Sequence, residues 1–240
     1  MLLKITEVCT MGCTHCGEEC LSSGRDMSIE TFLDTLEFIR KTKPRVIVVT
    51  GGEPIYHPNF FFIIEELQKI GTNINIIVTS NGLFLNDKEL TKKVLELNIP
   101  IQITNDKRYY PKSIPYIEHK NLEYVYEIQQ IYPMGRAISN KIPIFNVKAP
   151  KCFNIRSIAR TKKEFSFSEV IKLLESYGKF CTPSITIDGI IKAGEFKGCN
   201  SIGSIYNSDD ILLKNLRSLN CNNCGMEDIL SSDMLRVIRD

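Results

Sequence analysis

Three cysteines, Cys9, Cys13 and Cys16, follow a short apolar segment with the spacing Cys-x3-Cys-x2-Cys. Thiolates are soft ligands for zinc and iron–sulfur clusters, and such sites ordinarily take four protein ligands. A loop with three thiolates leaves one corner of a [4Fe–4S] cube open, and an open iron binds a small molecule. The spacing therefore predicts a reactive cluster rather than a structural one. Cys20 follows closely, however, and is a candidate for a fourth protein ligand.

Polar loops of the same kind follow three further apolar segments. Gly51-Gly52-Glu53-Pro54 comes after the β-branched run Arg45–Thr50, Ser80-Asn81-Gly82 after Asn73–Ser80, and Thr104-Asn105-Asp106 after Ile99–Thr104. In a parallel α/β sheet the loops after the strands emerge at one end, and chemistry collects there. We therefore expect these loops to share one mouth with the cysteines.

The elements that must position these loops alternate between strand and helix. The first strand is predicted over Leu2–Val8, and Ser28 is the predicted N-cap of the first helix. Such alternation predicts right-handed βαβ units and a parallel sheet. The first two predicted helices each have an apolar stripe at helical spacing. These stripes are Ile29, Phe32, Leu33, Leu36 and Ile39 in the first helix, and Phe60, Ile63, Ile64, Leu67 and Ile70 in the second. A third helix is predicted over Glu89–Leu97.

Composition narrows the class of protein. The chain has 240 residues, is 43% hydrophobic and carries a net charge of +2 with scattered basic residues, so we expect no nucleic-acid partner. No apolar run reaches the roughly 18–20 residues of a membrane span, and we expect a cytoplasmic protein without a membrane partner. Nine cysteines in such a chain are better interpreted as metal ligands than as disulfides.

The second half is less regular, and its cysteines cluster near the end. A further strand is predicted within Glu123–Ile131, a helix near Ser168–Tyr177, and a hairpin formed by Ser184–Ile187 and Ile190–Ala193 around Asp188-Gly189. Four thiolates close a structural zinc site or hold a complete [4Fe–4S] cluster, and the residues alone leave both open. These candidate ligands are Cys181, Cys199, Cys221 and Cys224.

The first cysteine motif and Gly51-Gly52-Glu53-Pro54, each after a predicted strand, resemble the radical S-adenosylmethionine (SAM) enzymes over about the first 140 residues. The resemblance implies a partial (β/α)6 TIM-like barrel with a [4Fe–4S] cluster on Cys9, Cys13 and Cys16. SAM would occupy the open iron, which leaves Cys20 outside the cluster. Electron transfer to SAM would generate a 5′-deoxyadenosyl radical that abstracts hydrogen from the substrate, and the resemblance implies a flavodoxin- or ferredoxin-type electron donor.

The resemblance also assigns contacts with SAM. His15 holds the position where the family usually has an aromatic residue near the adenine, and Arg136 lies in a Pro-x-Gly-Arg-Ala-like stretch and would meet a carboxylate. For both residues, a packing or surface role is the alternative. Glycines allow close backbone approach to a ligand. The candidate contacts are His15, Gly51, Gly52, Glu53, Pro54, Ser80, Asn81, Gln102, Thr104 and Arg136.

The later cysteines resemble a twitch domain, the short form of the SPASM extension. This implies a core over residues 1–179 and a small appendage over 180–240, formed by a β-hairpin and a helix, whose four cysteines hold an auxiliary [4Fe–4S] cluster. Zinc is the alternative. Cys20 and Cys152 are expected to be buried packing residues, the alternatives being hydrogen donor or extra ligand.

Three functions are compatible with these features. The first is a peptide-modifying maturase, in which a separate partner protein would recognise the peptide because no recognition domain precedes the first strand. The second is a small-molecule (cyclitol or alcohol) dehydrogenase, since size and cysteine spacing resemble an inosamine dehydrogenase. The third is a non-enzymatic metal-binding module. The motifs hold cofactors and do not name the substrate.

Overall fold

One open, mixed β-sheet organises the part of the chain that the computed structural model describes, namely residues 1–71, 73–128, 131, 134–143, 166–177, 182–195 and 199–219. Within these residues the sheet has eight strands in the order β5-β4-β3-β2-β1-β6-β7-β8. Strands β1 to β5 run parallel, as predicted. Their bounds are β1 Leu2–Thr6, β2 Val46–Gly51, β3 Asn75–Ser80, β4 Ile101–Thr104, β5 Leu122–Val125, β6 Ser184–Ile185, β7 Ile190–Lys192 and β8 Ser201–Ser204.

The helices begin and end close to the predicted positions. Ser28 caps the first helix, because its side chain accepts a hydrogen bond from the N–H of Thr31 at 3.1 Å. Leu33 was predicted to face the core but is 43% exposed, whereas Thr35 is buried in its place. The described helices are α1 Ile29–Thr42, α2 Phe60–Gln68, α3 Lys88–Glu96, α4 Arg136–Ser139, α5 Phe167–Tyr177 and α6 Asp209–Arg217.

The two faces of the sheet differ in chemistry. Leu3, Ile5, Val49 and Ile103 are buried in the apolar core with the helices. Because side chains alternate along a strand, the intervening residues form the opposite side, which we call the polar face. Near the carboxyl ends of the strands it comprises Lys4, Thr6, Thr50, Thr79, Gln102 and Thr104, and register pairs Lys4 with Thr50 and Thr79 with Gln102. Leu2, Val48 and Ile77 lie on the same face farther from those ends. A ligand over this face meets hydroxyl, amide and ammonium groups.

The predicted hairpin is confirmed: β6 and β7 pair antiparallel, and Gly189 in the turn has a φ of +71°. Strand β6 also pairs in parallel with β1. The described residues after 180 therefore extend the core sheet, and a separate appendage over 180–240 stays a prediction. None of the described helices has the length and apolar character needed to cross a membrane.

Candidate active site

The three-cysteine loop lies over the ends of β1 and β3. Cys13 is buried in a small cluster with Met11 and Leu83, and Cys9 and Cys16 are half-buried against it. All three are free thiols. The loop is also tied to the segment after β4, because the N–H of Thr14 donates to the carbonyl of Tyr109 at 2.9 Å.

Burial and neighbouring charge set the proton affinities of these thiols. Burial raises the pKa of Cys9 and raises that of Cys13 to about 12. A hydrogen bond from the Cys20 thiol lowers the pKa of Cys16 to about 5. Cys20 is therefore a neighbour of Cys16. Iron binding must displace protons from the buried thiols, so cluster assembly is favoured by higher pH.

In the described residues no three Cys, His, Asp or Glu side chains converge on a point that would hold a single metal ion. A tetrahedral zinc site requires such convergence. A [4Fe–4S] cube instead takes each thiolate on a separate iron, so its ligands surround a volume. Besides burial, neighbouring thiolates of the motif raise the pKa values of Cys9 and Cys13, so the three cysteines lie near one another, and the cluster they would hold stays a prediction.

Gly51 and Gly52 are packed against β1. A Cβ on Gly51, whose φ is +134°, would lie 2.2 Å from the carbonyl oxygen of Thr6, and one on Gly52 would lie 2.1 Å from that of Val8. The N–H groups of Gly52 and Glu53 donate to these same two carbonyls at 2.7 and 2.8 Å. The close approach expected toward a ligand is thus an approach to the neighbouring backbone; carbonyl contacts with SAM stay a prediction.

Glu53 joins the loops after β2 and β3. Its side chain is 0% exposed, and its carboxylate accepts hydrogen bonds from Ser80 Oγ and the Asn81 N–H, both at 2.8 Å. A longer bond comes from the N–H of Ile55 at 3.4 Å. Burial raises the pKa of Glu53 to about 7 against the effect of these donors. The carboxylate therefore fixes the two loops, and a contact between Glu53 and the ammonium group of SAM stays a prediction. Pro54 begins the following short 3-10 turn and is buried.

Asn81 links Glu53 and its hydrogen-bond donors to the cysteine loop. Its Nδ2 donates to Cys9 Sγ at 3.5 Å, and its Oδ1 accepts from the N–H of Leu83 at 2.9 Å. Asn105 Nδ2 donates to the backbone carbonyl of Asn81 at 3.3 Å. The structure thus brings the loops after β1, β2, β3 and β4 to one mouth, as the sequence predicts.

His15 lies against two tyrosines that sequence reasoning missed. Its ring centroid is 5.1 Å from that of Tyr109 and 5.4 Å from that of Tyr110. Burial lowers the pKa of His15, which favours the neutral imidazole. The sequence feature that could have indicated this contact is the adjacent pair Tyr109-Tyr110, which follows the predicted loop Thr104-Asn105-Asp106. An aromatic wall therefore stands beside the last cysteine of the motif.

Two buried nitrogen atoms next to the cysteine loop lack hydrogen-bond partners among the described residues: His15 Nδ1 and Arg136 Nη2. Buried polar atoms are normally paired, so such orphans call for a missing partner. Their position at a loop of free thiols fits a cluster with SAM bound beside it. The polar-face residues Gln102 and Thr104 are half-buried, and their contact with SAM stays a prediction.

A cavity of about 230 Å3 opens on the polar face beside the cysteine loop. Lys4, on β1, is only 7% exposed and forms a 2.8 Å ion pair with Glu18, which lies between Cys16 and Cys20. Lys4 was not predicted as a site residue, because the segment that contains it was interpreted only as an apolar strand. Further lining residues are Thr6, Glu7, Cys20, Gly51, Thr186, Ile187, Asp188, Ile190 and Lys192.

Of the second cysteine set, the structure describes Cys199, which is half-buried. Cys181, Cys221 and Cys224 lie outside the described residues, as does Cys152. The auxiliary site and the choice between iron–sulfur and zinc stay predictions. Cys20 is buried, as expected for a packing residue.

The chain belongs to the radical SAM superfamily, because the model of that family matches residues 3–128, just over half of its length. This range carries the three cysteines, the glycine pair and Asn81. The family supports a [4Fe–4S] cluster with SAM, which are the cofactors that the thiols and orphaned nitrogen atoms fit.

Relatives match over part of their length. The "tungsten-containing aldehyde ferredoxin oxidoreductase cofactor-modifying protein" of Pyrococcus furiosus is 30% identical over 104 residues, 42% of this chain and 28% of that protein. The 7-carboxy-7-deazaguanine synthase of Aquifex aeolicus is 31% identical over 121 residues, which are 49% of this chain and 52% of that protein. GTP 3',8-cyclase of Clostridium perfringens is 25% identical over 114 residues, which are 45% of this chain and 35% of that protein. The chain thus matches about half or less of each relative, and their activities differ.

Solved structures share the fold. BtrN in complex with AdoMet and 2-DOIA matches with a TM-score of 0.58 and 14% identity, covering 95% of this chain and 89% of that one. The anSMEcpe structure with bound AdoMet and the Cp18Cys peptide matches with a TM-score of 0.52 and 15% identity, covering 98% and 84%. At these identities the likeness establishes the open α/β architecture alone.

Proposed function

We propose that this protein reductively cleaves SAM and uses the resulting radical to abstract a hydrogen atom from a substrate held over the polar face. One observation carries the proposal: Glu53 and Asn81 join the glycine loop, the loop after β3 and Cys9 into one hydrogen-bonded unit. The cofactors, when bound, would supply the reductive cleavage of the sulfonium bond.

The chain's own residues would bind, orient and shield. Cys9, Cys13 and Cys16 would each hold one iron, and the Asn81 amide would donate to the Cys9 sulfur. His15 and Tyr110 would cover a flat aromatic group beside the cluster, since aromatic rings stack on such groups. Ser80 and Asn81 would be kept in place by Glu53, which acts through them rather than on the ligand.

For the substrate we propose a peptide, modified by a maturase of the kind that serves ribosomally made natural products. Support comes from the anSMEcpe structure, which has a bound Cp18Cys peptide, although the likeness itself is one of fold. The cavity volume of about 230 Å3 suits one side chain better than a whole ligand of drug size. A peptide would then place a single polar residue in the cavity.

A second candidate is a dehydrogenase for a small polyol or aminocyclitol. The observation that favours it is the cavity lining, which includes the Lys4–Glu18 ion pair and the hydroxyl groups of Thr6 and Thr186. The BtrN structure, of similar fold, is a complex with AdoMet and 2-DOIA. Charged and hydroxyl groups of this kind bind a molecule rich in hydroxyl or amino groups.

Further components belong to the same proposal. An auxiliary [4Fe–4S] cluster on Cys181, Cys199, Cys221 and Cys224 would accept an electron from the substrate radical and so make the modification oxidative. A flavodoxin- or ferredoxin-type protein would reduce the first cluster, and a separate protein would present the peptide. Free thiols and an exposed cluster corner suit the reducing cytoplasm.

Deuterium transfer distinguishes the two substrate classes. Reconstituted protein, SAM and dithionite are incubated under anaerobic conditions with uniformly deuterated candidates: short peptides encoded beside the gene, or polyols and aminocyclitols. Mass spectrometry of 5′-deoxyadenosine then reports which candidate donated hydrogen. Label from a peptide supports the maturase, and label from a polyol supports the dehydrogenase. SAM cleavage without label from any candidate contradicts both assignments.

A further inference from the structure

Arg136, at the start of α4, binds the three-cysteine loop from one side. Its Nε donates to the carbonyl of Cys13 at 2.8 Å and its Nη1 to the carbonyl of Cys20 at 3.1 Å. Its backbone N–H donates to the carbonyl of Cys16 at 3.0 Å. One residue therefore fixes the backbone at two of the three proposed iron ligands, Cys13 and Cys16, and at the neighbouring Cys20.

The backbone around Arg136 is shaped for this contact. Gly135 has a φ of +51°, and a Cβ there would lie 2.5 Å from the Cys16 carbonyl oxygen. Asn140, just after α4, donates from Nδ2 to the carbonyl of Thr14 at 2.7 Å. Contacts at both ends of the short helix therefore hold it against the cysteine loop.

The charge of Arg136 faces the loop without a carboxylate partner in the described part of the chain, and its Nη2 is the buried atom without a hydrogen-bond partner there. Arg136 is half-buried, and a cation partly withdrawn from water gains from nearby negative charge. A cubane cluster on three thiolates is net negative and becomes more so on reduction. Its binding beside the guanidinium would supply the missing charge.

We propose that Arg136 is a positioning residue for the iron–sulfur cluster: its forked hydrogen bonds fix the cysteine loop, and its positive charge favours the reduced cluster. The inference rests on the proposed cluster at Cys9, Cys13 and Cys16. It differs from the expected contact between Arg136 and a carboxylate of SAM, because two of its three side-chain nitrogen atoms are bound to loop carbonyls.

The test compares Arg136→Met and Arg136→Lys with wild type, and Arg40→Met serves as the control because Arg40 lies on the exposed side of α1, paired with Glu37. Each reconstituted protein is assayed for iron, for SAM binding by equilibrium dialysis, and for cluster reduction by potentiometric titration. The EPR signal that changes on addition of SAM identifies the first cluster. Thermal unfolding of each apoprotein reports folding.

We expect Arg136→Met to lose more than half of the iron of the first cluster. At a fixed potential, its remaining cluster should show a ratio of reduced to oxidised form about tenfold below wild type, equivalent to about 59 mV for one electron. Arg136→Lys keeps the charge without the fork, so it should lose iron while its remaining cluster keeps a ratio within about threefold of wild type. If Arg136→Met does not fold, Arg136→Lys still tests whether the forked hydrogen bonds are needed to retain iron.

Wild-type iron content and potential in both Arg136 variants would overturn the inference, and weakened SAM binding with an intact cluster would return Arg136 to the carboxylate role. A potential shift of the same size in Arg40→Met would also overturn it. Failure of wild type itself to bind iron at the first site would contradict the proposed function instead, so the two failures are distinguishable.

Discussion

The carboxylate of Glu53 accepts a hydrogen bond from the backbone N–H of Asn81 at 2.8 Å, so that the loop after β2 is held against the loop after β3. Asn81 in turn donates to Cys9 Sγ. A buried carboxylate thereby sets the position of an amide beside Cys9, a proposed iron ligand. Changes at Glu53 should thus act on the site through Asn81.

The pH dependence of stability tests this buried carboxylate. Its pKa is raised from 4.5 to about 7 in the folded protein, so between these pH values the folded state holds a proton that the unfolded state has lost. The stabilisation is complete below about pH 4.5 and is lost as the pH rises through about 7. Glu53→Gln removes this dependence. The stability of wild type relative to Glu53→Gln should fall by up to about 3 kcal/mol over that range, measured by urea unfolding of the apoproteins.

The control for this measurement is Glu37→Gln, which alters an exposed glutamate of α1. Its stability difference from wild type should be nearly constant with pH. A constant difference for Glu53→Gln as well would contradict a raised pKa at Glu53.

The packing of the glycine loop is tested by Gly51→Ala against Gly71→Ala. Both glycines have positive φ, +134° and +125°, but a Cβ on Gly51 meets the Thr6 carbonyl at 2.2 Å whereas nothing lies within 4 Å of one on Gly71. The backbone strain is therefore matched, and the steric clash is confined to Gly51. We expect Gly51→Ala to lower the free energy of unfolding by roughly 3 kcal/mol more than Gly71→Ala. Equal losses in thermal or urea unfolding would show that strand packing does not require glycine at 51.

The aromatic wall is tested at His15. Since its ring lies within 5.4 Å of both tyrosine rings, Phe should preserve the wall and Ala should remove it. We expect His15→Phe to bind SAM within about threefold of wild type and His15→Ala about tenfold more weakly, the size of one lost aromatic contact. Equilibrium dialysis with the cluster loaded measures both, and His119→Ala serves as a remote control. Loss of binding in the Phe variant equal to that in the Ala variant would assign the contact to the orphaned Nδ1 instead.

Iron stoichiometry tests the auxiliary site. Wild type should bind about eight irons per chain if two [4Fe–4S] clusters form, and the double change Cys221→Ala with Cys224→Ala should leave about four. The remaining iron should keep the SAM-sensitive EPR signal, because the first three cysteines are intact. About four irons in wild type, or zinc in place of the second four, would remove the auxiliary cluster from the account.

The parallel core was predictable because strand and helix periodicities are local. The cap at Ser28 and the loops at the mouth follow from residue types within a few positions. Even there, β1 ends at Thr6 rather than Val8, because Thr6 Oγ accepts the N–H of Val8 at 2.8 Å and Glu7 donates to the carbonyl of Arg25 instead of continuing the ladder. Side-chain competition of this kind leaves no periodic signal.

The contacts that shape the site were not predictable, because they join distant parts of the chain. Arg136 reaches the Cys13 carbonyl across 123 positions, and β6 adds to β1 rather than to β5. Tyr110 meets His15 through the return of the segment after β4. The hydrogen bonds of Glu53 were not predictable for the same reason, because its partners Ser80 and Asn81 lie 27 and 28 residues away.

The most direct test of the account is the formation of 5′-deoxyadenosine from SAM by anaerobically reconstituted protein with dithionite, comparing wild type with Cys9→Ala and Cys20→Ala. We predict that wild type and Cys20→Ala both cleave SAM, because Cys20 adjoins the cluster loop without being an iron ligand, and that Cys9→Ala does not. Absence of 5′-deoxyadenosine from iron-loaded wild type, or cleavage that survives in Cys9→Ala and is lost in Cys20→Ala, would contradict the proposed site.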